Sequence, residues 1–285
     1  MSLAALVLVV AAAGLHAGWN AMAKRGGDQV VFLWLATLAS ATTLLPFGLW
    51  YLAATGLAGA AVPFVVATIA LHAVYFYALG RAYASGAYSL VYPVARGLGV
   101  ALVPVVALLV FDERLSPLGT VGIGLVVVGV VALHALPSGG AAWAAAGAGR
   151  ALLWPVVTGL TIAGYSLVDK AGVARLNPIP YMLLLEAGCA LLGLPLLASR
   201  PDAVRRELRG WRRIVLAAVM SALAYTLVLF AFRLSKTGYV VAARELSIVL
   251  SAVIGSLWLR EGRLGPRLVG ATIVLAGVAC IALAR

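Results

Sequence analysis

The sequence predicts an all-α integral membrane protein with ten transmembrane helices, arranged as two inverted five-helix repeats. Three observations lead to this prediction: the composition, a series of long apolar stretches, and an internal duplication. Of the 285 residues, 64% are apolar or aromatic and only 11% are charged. Soluble domains contain roughly 45 to 50% apolar and roughly 25% charged residues. The composition therefore excludes an ordinary soluble domain.

The apolar stretches follow one another along the whole chain, and charge, Gly and Pro separate them. Each has about the 20 residues that a helix needs to cross a bilayer. The stretches fall at about 3–23, 30–53, 61–83, 87–110, 117–137, 150–170, 179–198, 213–233, 239–259 and 266–284. No basic residue precedes the first one, which predicts a membrane span and not a cleaved signal peptide.

Several classes of function are excluded at this level. The net charge of +12 would suggest nucleic acid in a soluble chain, but basic residues between apolar stretches orient helices in a membrane, so we expect no nucleic-acid partner. Cys189 and Cys280 stand alone in apolar stretches, which predicts neither a disulfide nor a metal site, and we expect no cofactor. No lysine follows a glycine, as a P-loop would require, so the chain encodes no ATP-driven pump.

The two halves of the sequence resemble each other. Ala17, Gly18 and Lys24 match Ala163, Gly164 and Lys170 at an offset of 146, and Arg96, Glu113, Gly122 and Gly129 match Arg244, Glu261, Gly270 and Gly277 at an offset of 148. We therefore divide the chain into a first repeat (1–137), a Gly/Ala-rich connection (138–149) and a second repeat (150–285). Because five is an odd number of spans, the second repeat enters the membrane inverted, as in many secondary transporters.

Three motifs resemble a known family. They are Asp112-Glu113-Arg114-Leu115-Ser116 followed by Gly119, Gly122 and Gly129; Arg260-Glu261-Gly262-Arg263-Leu264 followed by Gly270 and Gly277; and the opening segment from His16 to Lys24. Together they resemble two tandem EamA domains of the drug/metabolite transporter superfamily. The resemblance implies a ten-helix transporter of small metabolites, amino acids or drugs, with a central cavity lined by both halves. It does not supply a substrate.

Four charged residues fall well inside apolar stretches, near mid-bilayer, where a charge costs about 2.5 to 3.5 kcal/mol on insertion scales. They are Arg96, Arg244, Glu245 and Glu186. One hypothesis is that they pair with each other as buried salt bridges. The other is that at least one arginine faces the cavity and binds a carboxylate, phosphonate or phosphate. The two hypotheses are compatible.

The fourth stretch carries a further signal. Tyr88, Tyr92 and Arg96 recur at every fourth position, so they share one helical face. Pro93 and Pro104 predict that this helix is broken or kinked, and broken helices at repeat interfaces are where transporter sites tend to lie. On the first stretch His16, Trp19 and Asn20 share a face, and on the sixth Thr158, Thr161, Tyr165 and Asp169 do so.

We therefore expect a substrate site between the fourth and ninth helices, bounded by the first, third, sixth and eighth. Its candidate residues are Arg96, Tyr92, Tyr88, Arg244, Glu245, Trp19, Asn20, Tyr75 and Tyr165. An imidazole or a buried carboxyl can carry a proton, and the candidates for proton coupling are His16, Glu186 and His72.

The functional hypothesis is a secondary transporter that moves a small metabolite across the inner (plasma) membrane by alternating access, in the direction of export. The metabolite classes considered are amino acids, organic acids, phosphonates and drug-like compounds. One alternative is a lipid or lipid-carrier flippase of the same fold. Another is an intramembrane hydrolase that uses Ser166 and His16.

Charge in the connections also predicts an orientation. Lys and Arg are more frequent in the odd-numbered connections, which favours a cytoplasmic location for these and both termini outside. This bias depends heavily on one connection, and ten spans by themselves require only that both termini lie on the same side. Residues 200–213 contain six of the arginines, and we expect this stretch to be a solvated loop that touches anionic lipid.

Overall fold

The computed structural model of the chain describes residues 1–24, 27–85, 88–138, 150–250 and 264–284, and every regular element in these ranges is helical. The helices are α1 (Leu3–Lys24), α2 (Gln29–Thr55), α3 (Val62–Ser85), α4 (Tyr88–Phe111), α5 (Pro117–Ser138), α6 (Arg150–Val173), α7 (Pro178–Ala198), α8 (Pro201–Leu208), α9 (Trp211–Leu234), α10 (Thr237–Ala243) and α11 (Leu264–Leu283). A short 3-10 helix, Gly59–Ala61, precedes α3.

The structure confirms an all-α chain with several membrane spans. Seven of the described helices are long and apolar enough to cross a bilayer, and α5 and α11 contain shorter apolar segments, Pro117–Leu133 and Leu268–Leu283. The described ranges contain eleven α-helices where ten were predicted. Helix α8 is the additional one, and the ninth apolar stretch differs from the prediction by being interrupted.

Helix α8 lies in the basic stretch that was expected to be a solvated loop. Pro201 begins the helix, where its missing N–H costs no hydrogen bond. The carboxylate of Glu207, 5% exposed, accepts hydrogen bonds from the backbone of Gly27 at 2.7 Å and of Asp28 at 2.9 Å. Arg213 lies 3.1 Å from the other Glu207 oxygen. The stretch is therefore held against the α1–α2 connection.

The ninth stretch was predicted as one span, and the structure interrupts it. Helix α10 ends at Ala243, Arg244 and Glu245 form a turn, and residues 246–250 are helical again. Hydrogen bonds to the third preceding carbonyl, such as Ile248 N to Glu245 O at 2.9 Å, tighten the chain here. Residues 251–263, which include Glu261, lie outside the described ranges.

The predicted break in the fourth helix does not occur. Helix α4 continues from Tyr88 to Phe111 through both prolines. At Pro104, α10 approaches closely, because a Cβ on Gly238 would lie 2.9 Å from the Pro104 Cβ. Close packing by a neighbouring helix allows a membrane helix to continue past a proline. The interruption near mid-membrane is therefore in the ninth stretch, where no proline stands.

Helix packing joins the two halves of the chain throughout. Helix α1 packs against α9, α6 against α3 and α4, α2 against α7, and α5 against α11. The main cluster of buried apolar side chains runs through both halves, from Ala5 in α1 to Ile281 in α11. The two halves therefore form a single bundle with one shared core.

Contacts at the helix ends define two faces of the bundle. On the terminus-side face, which carries both chain ends, the amino group of Met1 donates to the Ala284 carbonyl at 2.6 Å. On the opposite face, Asp28 and Arg200 form an exposed ion pair at 3.3 Å. The connections on each face are those expected when every long helix crosses the membrane once.

Helices α5 and α11 approach through their glycines. A Cβ on Gly122 would lie 2.7 Å from the Gly277 carbonyl oxygen, and one on Gly129 would lie 2.9 Å from that of Gly270. Because 122 faces 277 while 129 faces 270, the two helices run antiparallel. Small residues permit this distance between backbones, and such packing drives helix association in lipid.

Gly122→Ala tests this contact, and Gly124→Ala on the same helix is the matched control, because a Cβ on Gly124 would meet nothing within 4 Å. We expect Gly122→Ala to lower the free energy of unfolding by about 1 to 3 kcal/mol through overpacking. Gly124→Ala should leave it unchanged or raise it by about 0.5 to 1 kcal/mol through helix propensity. Thermal unfolding in detergent measures both, and equal midpoints would contradict the close contact.

Candidate functional site

An ion pair near the centre of the bundle joins α4 to the turn after α10. The Arg96 guanidinium contacts the Glu245 carboxylate twice, Nη2 to Oε1 at 2.7 Å and Nε to Oε2 at 3.1 Å. Both residues are buried, 7% and 2% exposed. A guanidinium presents two donors that match the two carboxylate oxygens. The prediction that buried charges pair is confirmed for these two residues.

Arg244 directly precedes Glu245 but contacts a different helix. Its guanidinium carbon lies 5.2 Å from the centre of the Tyr225 ring on α9, within the range where a cation is attracted to a ring face. Arg244 is only 9% exposed. Among the described residues its side chain has no ion pair and no hydrogen bond. Within the described ranges, Arg244 is therefore a buried guanidinium with no direct contact to a carboxylate oxygen.

Four rings from three helices form an aromatic cluster: His72 and Tyr75 of α3, Tyr165 of α6 and Tyr225 of α9. His72 stacks on Tyr165, with ring centres 4.2 Å apart. The Tyr225 ring meets His72 edge-on at 5.6 Å, and Tyr75 meets Tyr165 edge-on at 5.7 Å. Through Tyr225, this aromatic cluster forms a wall beside Arg244.

Asp169 supports the aromatic cluster from behind. It is fully buried, and Tyr181 of α7 donates to its Oδ1 at 2.8 Å while Tyr225 donates to its Oδ2. Two charge-assisted hydrogen bonds stabilise the carboxylate and fix the Tyr225 ring. The sequence placed Asp169 on a polar face of α6 but did not indicate either tyrosine partner. The signal available was only that a phenol inside an apolar helix needs a hydrogen-bond partner.

The predicted polar face of α1 is half-buried. Trp19 Nε1 donates to His16 Nδ1 at 3.2 Å, and Asn20 Nδ2 donates to the His16 carbonyl at 2.8 Å. These hydrogen bonds are local to α1. His16 lies within electrostatic range of both Arg96 and Arg244, so this face of α1 borders the two arginines.

The three proton-coupling candidates have different surroundings. The Nδ1 atom of His72 lies 3.0 Å from the Thr68 hydroxyl and 3.0 Å from the Thr68 carbonyl oxygen, and His16 is bonded as described above. Glu186 of α7 is 8% exposed, has no ion pair within the described ranges, and lies beside the Ser40 hydroxyl of α2.

Glu113, Lys170 and Thr237 form a polar contact at the terminus-side face, which we call the latch. Glu113 accepts hydrogen bonds from the Thr237 backbone at 2.6 Å and from its hydroxyl at 2.9 Å. Lys170 Nζ lies 3.5 Å from Glu113 Oε1 and donates to the Ser235 carbonyl at 3.0 Å. The latch joins the ends of α4, α6 and α9 to the start of α10. The sequence marked Glu113 and Lys170 only as repeated residues.

Two remaining predictions concern α4 and α6. The side chains of Tyr88 and Tyr92 lie outside the described part of the structure, so their role stays a prediction. The Ser166 hydroxyl, suggested as a nucleophile, is fully buried and donates to the Ile162 carbonyl of its own helix at 2.7 Å. Its hydrogen bond is that of a packing residue.

Comparison with known proteins adds two family matches and two relatives. Residues 149–283 match the EamA-like transporter family, and residues 58–126 match the Small Multidrug Resistance protein family. A multidrug transporter of Pseudomonas aeruginosa is 43% identical over 44 residues, which are 15% of this chain and 40% of that protein. The chain thus matches less than half the length of this curated relative. A protein of known crystal structure superimposes with a TM-score of 0.74 at 15% identity, covering 98% of this chain and 97% of that one, which shows the fold alone.

Residues 149–283 thus match an EamA-like transporter domain over nearly half of the chain. Together with the other matches, this points to a membrane transporter of the drug/metabolite transporter superfamily and not to an enzyme.

Glu245→Gln tests the buried ion pair. It removes the carboxylate charge that Arg96 contacts twice, and we expect the free energy of unfolding to fall by about 3 to 5 kcal/mol. Replacing both residues in Arg96→Met/Glu245→Met removes both buried charges and should restore most of the loss. Thermal unfolding of the two variants in detergent measures this, and a double variant no more stable than Glu245→Gln would contradict the pairing.

Proposed function

We propose that the chain is a secondary transporter of a small anionic metabolite, with one central site, that works by alternating access between two inverted repeats, 1–137 and 150–285. The buried guanidinium of Arg244 is the observation that carries this proposal. Export across the inner membrane is the proposed direction and location. The following points support each part of it.

Helix packing supports the inverted repeats. In this proposal α1 corresponds to α6 and α3 to α9, and the packing exchanges them: α1 packs on α9 while α6 packs on α3. Helix α2 corresponds to α7 and α5 to α11, and the two helices of each pair pack against each other. A two-fold axis produces this pattern, in which each contact occurs twice with the partners exchanged.

The α5–α11 contact has the same symmetry at the level of residues. Gly122 corresponds to Gly270 and Gly129 to Gly277 at the offset of 148. Gly122 contacts Gly277, and Gly129 contacts Gly270. Each of the two α5 glycines therefore contacts the α11 residue that corresponds to the other α5 glycine, and the two helices are antiparallel. An axis in the membrane plane relates segments in this way and is typical of transporters with inverted repeats.

The two arginines at corresponding positions have different roles in this proposal. Arg96 forms the bidentate ion pair with Glu245, whereas Arg244 has no ion pair or hydrogen bond within the described ranges and lies against the Tyr225 ring. The residue that corresponds to Glu245 in the first repeat is Gly97, which has no carboxylate to offer Arg244. In this proposal Arg244 is therefore the guanidinium available to an anion, so the proposal has one anion site and not two.

The chemistry of Arg244 sets the class of substrate. A guanidinium binds carboxylate, phosphonate or phosphate oxygens through paired hydrogen bonds, and such bonds are strong where water is excluded. Tyr165 and Tyr75 of the aromatic cluster provide an apolar surface for the rest of the molecule. Trp19 and Asn20 bound the site from α1. A small organic anion, including a drug-like one as the relative's name suggests, fits this set of groups.

Tyr88, Tyr92, Arg96 and Glu245 keep supporting roles in the proposed site. Tyr92 and Tyr88 stand four and eight positions before Arg96 in the sequence, a spacing that predicts one shared helical face. The Arg96–Glu245 pair positions the turn that carries Arg244. Its loss would therefore displace the binding group as well as destabilise the fold.

The latch supplies the conformational part of the proposal. Alternating access requires contacts that close one face and can be broken. Glu113 is 11% and Lys170 is 23% exposed at the side chain, so water can replace these polar contacts when the face opens. Thr237 lies two turns before Arg244, and movement of α10 links the latch to the site. The proposed state is one in which the terminus-side face is closed.

Glu186 is the proposed proton carrier, ahead of His16 and His72. It is a buried carboxyl without a counter-charge within the described ranges, and such groups in transporters mark proton relays. The two histidines each already have a hydrogen-bond partner. Release of a proton from Glu186 to one side of the membrane would couple transport to the proton gradient.

Counterflow in proteoliposomes tests the anion site. Labelled amino acids, organic acids and phosphonates are offered to the parent protein and to Arg244→Gln. We expect uptake of an anionic compound by the parent and a loss of roughly ten-fold or more in the variant, because a charge-assisted hydrogen bond is lost.

Arg175→Gln is the matched control. Arg175 is exposed on the terminus-side face, where it donates to the Ala171 carbonyl at 2.7 Å. The Arg175→Gln variant should transport like the parent. Full counterflow by a folded Arg244→Gln variant would contradict the proposed site, and movement of lipid but of no small anion would favour the flippase alternative.

Glu186→Gln tests the coupling. We expect uptake driven by an imposed pH gradient to disappear, since the amide carries no exchangeable charge, while counterflow at equal pH remains. Asp202→Asn is the control, because Asp202 is 81% exposed at its side chain. Gradient-driven uptake that survives in Glu186→Gln would exclude this residue as the proton carrier.

A further inference from the structure

A groove lies on the membrane-facing surface between α2 and α9, below α8. Its volume is about 360 Å³, and its walls include Leu38 and Thr42 of α2, Leu208 of α8, and Trp211 and Val215 of α9. Trp211 is 56% and Leu38 40% exposed. The groove is thus open to the bilayer at the opposite face of the bundle from the latch.

The groove offers an occupant almost no polar partners. Its two hydroxyl groups are used within α2, where Thr42 Oγ1 donates to the Leu38 carbonyl at 2.9 Å and Thr43 Oγ1 to the Ala39 carbonyl at 2.8 Å. The remaining lining is apolar. A hydrocarbon chain fits such a surface, whereas a polar metabolite would lose its hydrogen bonds to water there.

The rim of the groove is strongly basic. Arg205, Arg206, Arg209 and Arg212 are all exposed on or next to α8. The one exposed acidic residue in this stretch is Asp202, 3.9 Å from Arg205, while Glu207 is buried and bonded to the α1–α2 connection. The Arg212 guanidinium carbon lies 5.7 Å from the centre of the Trp211 ring. The contacts of Glu207 hold this rim in place above the groove.

We propose that this groove and its rim bind one anionic phospholipid of the bilayer. One acyl chain occupies the groove, and the headgroup phosphate contacts Arg209 and Arg212, which flank Trp211. The planar arginine fork suits phosphate oxygens, and tryptophan prefers the headgroup level of a membrane. The charge of the rim complements an anionic headgroup and gives a zwitterionic one a smaller advantage.

Native mass spectrometry of the purified full-length protein tests this, after incubation with equal amounts of phosphatidylglycerol and phosphatidylcholine. We expect one retained phosphatidylglycerol per chain, preferred several-fold. Arg209→Gln/Arg212→Gln should bring the ratio of the two retained lipids close to one. Arg233 is an exposed arginine at the opposite end of α9 from Arg212, and Arg233→Gln should leave the lipid preference unchanged.

Groove-filling variants separate a site from general surface attraction. Thr42→Trp, and independently Val215→Trp from the other wall, should prevent lipid retention while thermal unfolding remains near that of the parent. Equal retention of the two lipids by the parent would overturn the proposal. So would unchanged retention in whichever groove variant remains folded.

Discussion

A charge is costly inside the membrane, and the pair of Arg96 and Glu245 is the contact on which the rest of the site depends. Glu245 is drawn to α4, so the neighbouring Arg244 is left to face α9 and the Tyr225 ring. Asp169 then holds that ring through its hydroxyl. One ion pair thereby sets the position of the turn and the direction of the second guanidinium.

The remaining contacts are of two kinds: some would persist during a conformational change, and others would break. The α5–α11 contact brings backbone against backbone at glycines, with no polar side chain that water could compete for. The latch instead consists of hydrogen bonds and an ion pair at a partly exposed helix end. In a rocking motion, the α5–α11 contact would stay packed because water cannot compete for it. The latch would open because water can replace its hydrogen bonds.

The sequence predicted the parts of the fold that depend on length and polarity. Apolar stretches of about 20 residues set the long helices, and the observed bounds of α1 and α7 differ from the predicted ones by only a residue at one end. The prediction failed where contacts between residues distant in the sequence determine the backbone conformation. Pro93 and Pro104 suggested a break in α4, but packing keeps the helix continuous. The turn at Arg244 contains no Pro or Gly from which the sequence could have predicted it.

The candidate site was predictable as a set of residues but not as an arrangement. Intramembrane charge singled out four residues as unusual: Arg96, Arg244, Glu245 and Glu186. Nothing in the spacing of the chain could show which arginine pairs with Glu245, because the partners lie far apart in sequence. The tyrosines that bind Asp169 were missed for the same reason.

Accessibility of the site from the terminus-side face tests the account most directly. Cys189 and Cys280 are replaced by serine, and Tyr165→Cys places a thiol about one and a half turns from Lys170, inside the latch. Asp112→Cys, whose position is 78% exposed on the same face, reports that the reagent has access. A membrane-impermeant maleimide added on that side should label Tyr165→Cys slowly while Glu113 is intact and several-fold faster in Glu113→Gln. Equal labelling rates with and without Glu113 would contradict a closed face held by the latch.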